Sequence, residues 1–310
     1  MLSYLLQWKF ILAYAVLGFA LYTHFRGNVR LSFSRQLFNH STLFAPYNIL
    51  MDMFSAVPNQ PVWKREQFPH LNVIQENWHV FREEAMALNN QEHIRIAENK
   101  NDIAFNSFFR TGWKRFYIKW YDDVMPSAES LCPRSVEIVK SVPEINAAMF
   151  AMLPPDGRLG KHRDPFAGSL RYHLGLDTPN SDDCYIWIDD QFYSWRDGED
   201  IVFDETYVHS AMNNTDKNRI ILFCDVTRPL KTSFMRSLNQ FVINHFLRVT
   251  TSSNTAGEKV GLLNHISTGL FNIKTLSTRV KRWNRGLYYS VKYALIGLLV
   301  YWIFLSDLFR

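Results

Sequence analysis

The 310-residue sequence predicts an all-β barrel or jelly roll with helices beside it and an apolar segment at each end. Three observations carry that prediction. From Ala147 onward, short apolar runs alternate with turn residues at a spacing of roughly 10–15 residues, the pattern of strands closed into a barrel. Before them, apolar residues recur at helical spacing. At both ends, thirteen-residue runs (Phe10–Tyr22 and Tyr293–Leu305) carry no charge or strongly polar side chain. With 47% apolar and 20% charged residues, the chain is globular rather than disordered.

The elements follow in order. Residues 1–26 read as an N-terminal membrane helix, with Leu5, Leu6 and Trp8 extending the apolar run upstream. Residues 27–146 read as a helical and coil-rich region packed on the barrel. Its first part, to about residue 75, holds Pro46, Pro58, Pro61 and Pro69 and reads as coil. From Leu71 to Ala97 the pattern is helical: Ile74, Trp78, Phe81 and Ala85 share a face, with Glu83, Glu84 and Glu92 at polar positions. A second helix is expected over Ser135–Lys140. Residues 147–230 hold the barrel, with strands at Ala148–Leu153, Leu170–Leu176, Cys184–Ile188, Asp200–Phe203 and Arg219–Val226. Turns fall at Pro154–Gly157, Pro179–Asp182 and Arg196–Gly198. Residues 231–285 return to an amphipathic helical pattern through Phe234, Leu238, Phe241 and Phe246, with a polar linker at Thr250–Gly257. Residues 286–310 read as a C-terminal membrane helix. At about 1.5 Å per residue, nineteen residues from Leu287 reach roughly 28 Å, close to a bilayer core. A buried core helix or a helix lying in the membrane surface stays open for each end.

Charge orients the ends. Arg26, Arg30 and Arg35 follow the first run; Arg279, Lys281, Arg282, Arg285 and Lys292 precede or enter the second. The positive-inside tendency then places the domain between them on the cytoplasmic face. No small-residue cleavage site follows the first run, so a signal peptide is not expected. Three cysteines, none in a C-x-x-C pair, exclude a disulfide scaffold and a zinc ribbon. The net charge of +5 points to an anionic partner. Nothing in the sequence calls for nucleic acid or an obligate protein partner.

The residues that carry chemistry cluster late in the chain. His162 and Asp164 are i and i+2, so on a strand both side chains reach one ion. His209, from another strand, completes two imidazoles and one carboxylate, a facial set that suits non-haem Fe(II) and oxygen chemistry. Arg219 lies ten residues further on. Its rigid fork suits a carboxylate, as the far end of a 2-oxoglutarate co-substrate requires.

The stretch His162–Gly175, with Phe203–His209, Arg219 and Asp225-Val226, resembles the aspartyl/asparaginyl β-hydroxylase family, and within it the membrane branch of bacterial lipid A 2-hydroxylases. The resemblance extends through Asn106–Phe109, Gly112–Tyr117 and Tyr193–Gly198. It implies a cupin-like double-stranded β-helix binding Fe(II), with 2-oxoglutarate and O2 as co-substrates. It implies His162, Asp164 and His209 as metal ligands, although the animal peptide hydroxylases have a glycine where Asp164 stands. Arg219 matches the arginine that pairs with the 2-oxoglutarate carboxylate; Arg171 and His173 match further co-substrate contacts, and Trp113 a co-substrate tryptophan. Ala151 replaces a hydroxyl-bearing contact of the peptide hydroxylases.

The activity implied is hydroxylation of C2 on a secondary acyl chain of lipid A, with release of succinate and CO2, at the cytoplasmic face of a bacterial inner membrane. Lys114, Arg115 and Lys119 are then candidate head-group contacts, against the plainer reading of a solvated basic face. Two other functions fit the same residues: an anchored peptide aspartyl/asparaginyl β-hydroxylase, and a metal-binding cupin module without turnover.

Overall fold

The computed structural model describes residues 7–96, 108–121, 123–255 and 257–302, together with Asp102 and Phe105. Helix α1 (Trp8–Phe25) is followed by α2 (Phe33–Leu37) and α3 (His40–Met53). Strand β1 (Val62–Trp63) leads to α4 (Asn72–Glu76) and α5 (Trp78–Asn90). Strands β2 (Lys114–Trp120) and β3 (Asp123–Val124) precede α6 (Pro126–Leu131) and α7 (Pro133–Lys140). Eight strands then follow: β4 (Ile145–Leu153), β5 (Arg158–His162), β6 (Ser169–Asp177), β7 (Cys184–Ile188), β8 (Gln191–Ser194), β9 (Asp200–Phe203), β10 (His209–Asn213) and β11 (Arg219–Thr227). Helix α8 (Ser233–Val242), a π-helical turn, α9 (Leu262–Trp283) and α10 (Arg285–Val300) complete the described chain.

The strands form two antiparallel sheets, ordered β1-β9-β6-β11-β4-β2-β3 and β5-β10-β7-β8. From β4 onward the chain passes back and forth between them, so β9-β6-β11-β4 faces β5-β10-β7-β8. That alternation is the jelly-roll winding the spacing predicted. Strands β4, β6 and β11 are buried along nearly their whole length, because both faces of the larger sheet are covered.

Several expectations need correction. Residues 27–75 are not mainly coil: α3 spans fourteen residues despite Pro46. The Asn39 side chain accepts the Ser41 N–H at its start, and Thr42, Ala45, Asn48 and Met51 bury one face. Tertiary packing outweighs the missing hydrogen bond at Pro46. The helix expected over Leu71–Ala97 is two helices broken at Asn77, ending at Asn90; residue 97 lies outside the described residues. Glu84 is buried, not solvated, and accepts the Ser135 N–H at 2.8 Å at the start of α7. The helical and coil-rich region also supplies β2, which pairs with β4 inside the larger sheet. No alternation betrayed β2, since α6 and α7 cover its outer side.

Thr250–Gly257 is likewise not a free linker. Asn254 accepts the Tyr117 N–H at 2.7 Å and donates to the Tyr117 carbonyl at 2.8 Å, acting as an edge partner for β2. Arg115 is 1% exposed and pairs with the buried Asp102 at 2.9 Å, which removes it as a head-group contact and as part of a solvated basic face. Lys119 donates to the Ile145 carbonyl.

Among the described residues, α1 is the one helix long and apolar enough to cross a membrane. Helix α10 has sixteen residues; the expected C-terminal run ends in residues 303–310, and Leu5 and Leu6 also fall outside the described residues. Asp102→Ala leaves the Arg115 guanidinium buried without its anion. The expected loss is about 3–5 kcal/mol, read as a lowered thermal midpoint beside a little-changed one for Lys114→Ala.

Candidate metal centre

The site grows from period-two alternation on facing strands. On β11, Arg219, Ile221 and Phe223 point into the barrel; on β6, Arg171 and His173 do so. His173 lies opposite Phe223, and Arg171 opposite Asp225. From the smaller sheet, His209 of β10 is the direct cross-strand partner of His162 on β5. Antiparallel pairing therefore sets the two imidazoles side by side, ring centroids 4.2 Å apart.

Asp164 arrives differently from the expectation. His162 is the last residue of β5, and Asp164 stands in the loop beyond it rather than on the strand. Its N–H donates to the Glu205 carbonyl at 2.9 Å, which turns the carboxylate back toward the histidines. Oδ1 lies 3.7 Å from His162 Nε2, while Oδ2 accepts from Arg171 at 3.1 Å.

These groups fit a metal. The ligand atoms of His162, Asp164 and His209 lie within 4.8 Å of one another. His162 Nδ1–H donates to the Gly160 carbonyl at 2.7 Å, and His209 Nδ1–H to the Tyr207 carbonyl at 3.0 Å. Each bond fixes the ring and leaves Nε2 as the free donor for an ion. Burial, then the neighbouring His162, pushes the His209 imidazole down to about 3, so it is neutral and ready to ligate. Burial alone would raise the Asp164 carboxyl, but Arg171 and the two histidines hold it below its ordinary value. Two imidazoles and one carboxylate leave coordination positions open, the donor set of a non-haem Fe(II) centre.

A small cavity of about 30 Å³ adjoins the triad. Arg219 borders it, 2% exposed, with its guanidinium 4.3 Å from the Trp195 ring centre. Its Nε has no hydrogen-bond partner and no carboxylate pairs with it among the described residues. Burial pushes it down to about 10, which leaves it cationic at neutral pH. Both ring nitrogens of His173 and the Trp195 indole N–H are also buried without partners. The unpaired N–H groups of Arg219, Trp195 and the neutral His173 around one cavity are what an anionic ligand would satisfy. Trp113 and Ala151 line the same cavity.

Arg171 is surrounded by carboxylates. It contacts Asp164, Glu205 and, through Nε at 2.8 Å, Asp225. Tyr121 donates to Asp225, and Ser169 to Glu205. Glu205 supports Asp164 through both its carbonyl and Arg171. Phe108, its ring 5.0 Å from that of His162, had no signal beyond membership of the resemblance, and its neighbours Asn106 and Ser107 lie outside the described residues.

A charged knot holds the loop before His209. Asp204 is wholly buried and accepts from Arg26 at 2.8 Å and from Arg228 at 2.6 Å. Arg26 also pairs with Asp52 at 3.1 Å and donates to Thr206. Arg163 donates to the Thr206 and Arg26 carbonyls. The chain leaves α1 through Gly27, at φ +81°, where a Cβ would lie 2.5 Å from Asp189 Oδ1. Asp189 in turn accepts the Asn28 and Val29 N–H groups.

The sequence profile of the aspartyl/asparaginyl β-hydroxylases matches residues 75–229, half of the chain, and takes in the triad, Arg171, His173 and Arg219. The chain belongs to this family. Among curated members, an ornithine lipid ester-linked acyl 2-hydroxylase of Rhizobium tropici is 32% identical over 182 residues, 58% of this chain and 64% of that protein. The human aspartyl/asparaginyl β-hydroxylase is 22% identical over 222 residues, 69% of this chain and 27% of that protein. The chain thus spans less than two thirds of the length of either relative. Among solved structures, a Pseudomonas putida prolyl-4-hydroxylase aligns with 49% of this chain and 87% of its own at 13% identity, with a TM-score of 0.34, too low to carry an argument.

Two outcomes test the site. Asp164→Asn is expected to weaken Co(II) binding, followed by absorbance titration, by more than the roughly 10–100-fold that loss of an outer partner gives. His173 is held well below its ordinary value, first by burial and then by Arg171 and Arg219. It stays neutral in the fold while the unfolded chain takes up a proton below about pH 6.5. The stability it contributes is therefore complete above that pH and declines as pH falls. His173→Leu is expected to flatten the fall in thermal midpoint between about pH 7 and pH 5.

Proposed function

We propose that this chain is a membrane-anchored Fe(II)/2-oxoglutarate-dependent dioxygenase that hydroxylates C2 of an acyl chain on a membrane lipid. Lipid A is the substrate suggested by the sequence resemblance; an ornithine lipid is the one carried in the name of the Rhizobium relative. One observation carries the reading: a buried arginine without an anion borders the same cavity as a His-Asp-His triad.

His162, Asp164 and His209 would hold the iron, their orientation set by the Gly160 and Tyr207 carbonyls and by Arg171. With 2-oxoglutarate and O2, that centre supplies the oxidising power to replace an unactivated C–H by C–OH, releasing succinate and CO2. Arg219 would receive the distal carboxylate of the co-substrate, with His173 and Trp195 offering their unpartnered nitrogens nearby. Phe203, Phe223, Ile186 and Ile221 surround these groups with apolar surface and exclude water. No side chain here needs to act as a strong acid or base.

Anchoring rests on α1, eighteen residues long with the uncharged run Phe10–Tyr22 inside it, and followed by Arg26, Arg30 and Arg35. In a bacterial inner membrane those arginines favour a domain on the cytoplasmic side, where reduced iron and 2-oxoglutarate are available.

The test is a mass spectrum of total lipid, lipid A included, from cells expressing the chain or its His162→Ala form. A lipid heavier by one oxygen atom, present only with the intact chain, is expected. Hydroxylated peptide with unchanged lipid would establish the anchored peptide hydroxylase instead; absence of any 2-oxoglutarate turnover would leave a metal-binding barrel. Arg219→Gln is expected to reduce apparent 2-oxoglutarate affinity by about 2–5 kcal/mol, read from the co-substrate dependence of succinate release.

A further inference from the structure

Helices α1, α3 and α8 lie side by side. Tyr22 of α1 donates to Asp52 of α3 at 3.0 Å, and Tyr47 of α3 donates to Asn239 of α8 at 2.7 Å. Met51, Leu230 and Met235 bury the seam between α3 and α8. The outward faces are unlike an ordinary solvated surface. On α3, Leu43, Pro46, Leu50 and Met53 fall at i, i+3, i+7 and i+10, one stripe, all exposed and all apolar; Leu43 is 79% exposed. On α8, Phe234 (71% exposed) and Phe241 stand at i and i+7, with Phe246 exposed in the turn beyond. Phe38, between α2 and α3, is 88% exposed. Exposed apolar surface of this extent marks a contact with something apolar.

The sign of the charge identifies the contact. From Gln7 to Met51 and from Lys231 to Gly257 the sequence contains no aspartate or glutamate. Arg30, Arg35, Lys231 and Arg236 are exposed in these segments. Asp52, the first acid of the chain, is buried against Arg26. An apolar stripe bordered by cations and devoid of acids fits an anionic bilayer surface. It joins directly to α1, whose exposed side chains Trp8, Ile11, Leu12, Val16, Leu17 and Leu21 are apolar.

We propose that α3 and α8 form an interfacial shelf: their exposed stripes lie in the head-group and upper acyl region of an anionic membrane, beside the point where α1 enters it. The inference rests on the anchoring part of the function proposed above. It adds a second contact that fixes the orientation of the barrel relative to the lipid, because Arg26 joins α3, through Asp52, to the Asp204 loop that ends in His209.

The test uses the full chain in vesicles of phosphatidylethanolamine and phosphatidylglycerol. The three native cysteines are buried, so single introduced cysteines take an environment-sensitive fluorophore selectively. Labels are placed at Leu50→Cys and Phe241→Cys on the shelf, Leu17→Cys on α1, and Asp216→Cys in the β10–β11 turn, all exposed positions. The shelf labels are expected to be quenched by a nitroxide on the upper acyl chain at least about threefold more than the Asp216 label, and to be protected from aqueous iodide. Lys231→Gln with Arg236→Gln is expected to reduce that quenching at Phe241→Cys. Quenching at Leu17 with iodide-accessible labels at Leu50 and Phe241 overturns the shelf and leaves the anchor standing. Shelf labels protected from both quenchers indicate a second protein copy on this face and overturn it as well. No lipid quenching at Leu17 removes the anchor itself, and the shelf with it.

Discussion

Asp204 is the constraint on which the site depends. Burial would drive its carboxyl upward, yet Arg26 and Arg228 hold it well below the ordinary carboxylate range. A buried ion pair of this kind contributes little net stability, but loss of one partner leaves a charge stranded in the interior. Its value is positional. Asp204 also accepts the Thr206 N–H and hydroxyl, fixing the turn in which Glu205 presents its carbonyl to Asp164 and Tyr207 presents its carbonyl to His209. Two of the three triad side chains thus take their direction from a loop whose shape is set by a salt bridge to the end of α1.

The site therefore combines two kinds of precision. The sheets place His162, His209, Arg219 and His173 through register, since cross-strand partners have no freedom to separate. The loop supplies Asp164 through hydrogen bonds that must be maintained one by one. Arg171 links the two, reaching from β6 to Asp164 while Glu205 and Asp225 hold it from the other sides. Its surroundings are richer in carboxylates than those of Arg219, which of the two is the cation without a carboxylate partner among the described residues.

How much of this was legible follows from the range of each interaction. The strands Cys184–Ile188 and Asp200–Phe203 were readable to the residue, because turn signals bracket them on both sides. That His209 joins His162 from another strand was readable from residue type; their direct cross-strand pairing was not, because it depends on the register of the whole sheet. Asp164 was readable as a ligand candidate but not in its setting, because the end of β5 depends on contacts with residues forty positions away. Helix α3 was hidden by Pro46, and β2 by its cover on both faces. Arg26 could be read as a topological charge; its partners Asp52 and Asp204 lie too far along the chain for spacing to connect them. The same distance concealed Glu84 as the anion at the start of α7, and the strap formed by Asn254.

The unpaired guanidinium of Arg219 has a consequence for how the chain can change over time. A buried cation without a counter-ion is destabilising by itself, so an apolar residue of similar volume at that position would make a sturdier fold. Any drift toward thermal robustness therefore pulls against retention of the charge. Arginine at position 219 is thus a cost to folding, to be set against whatever anion the cavity admits.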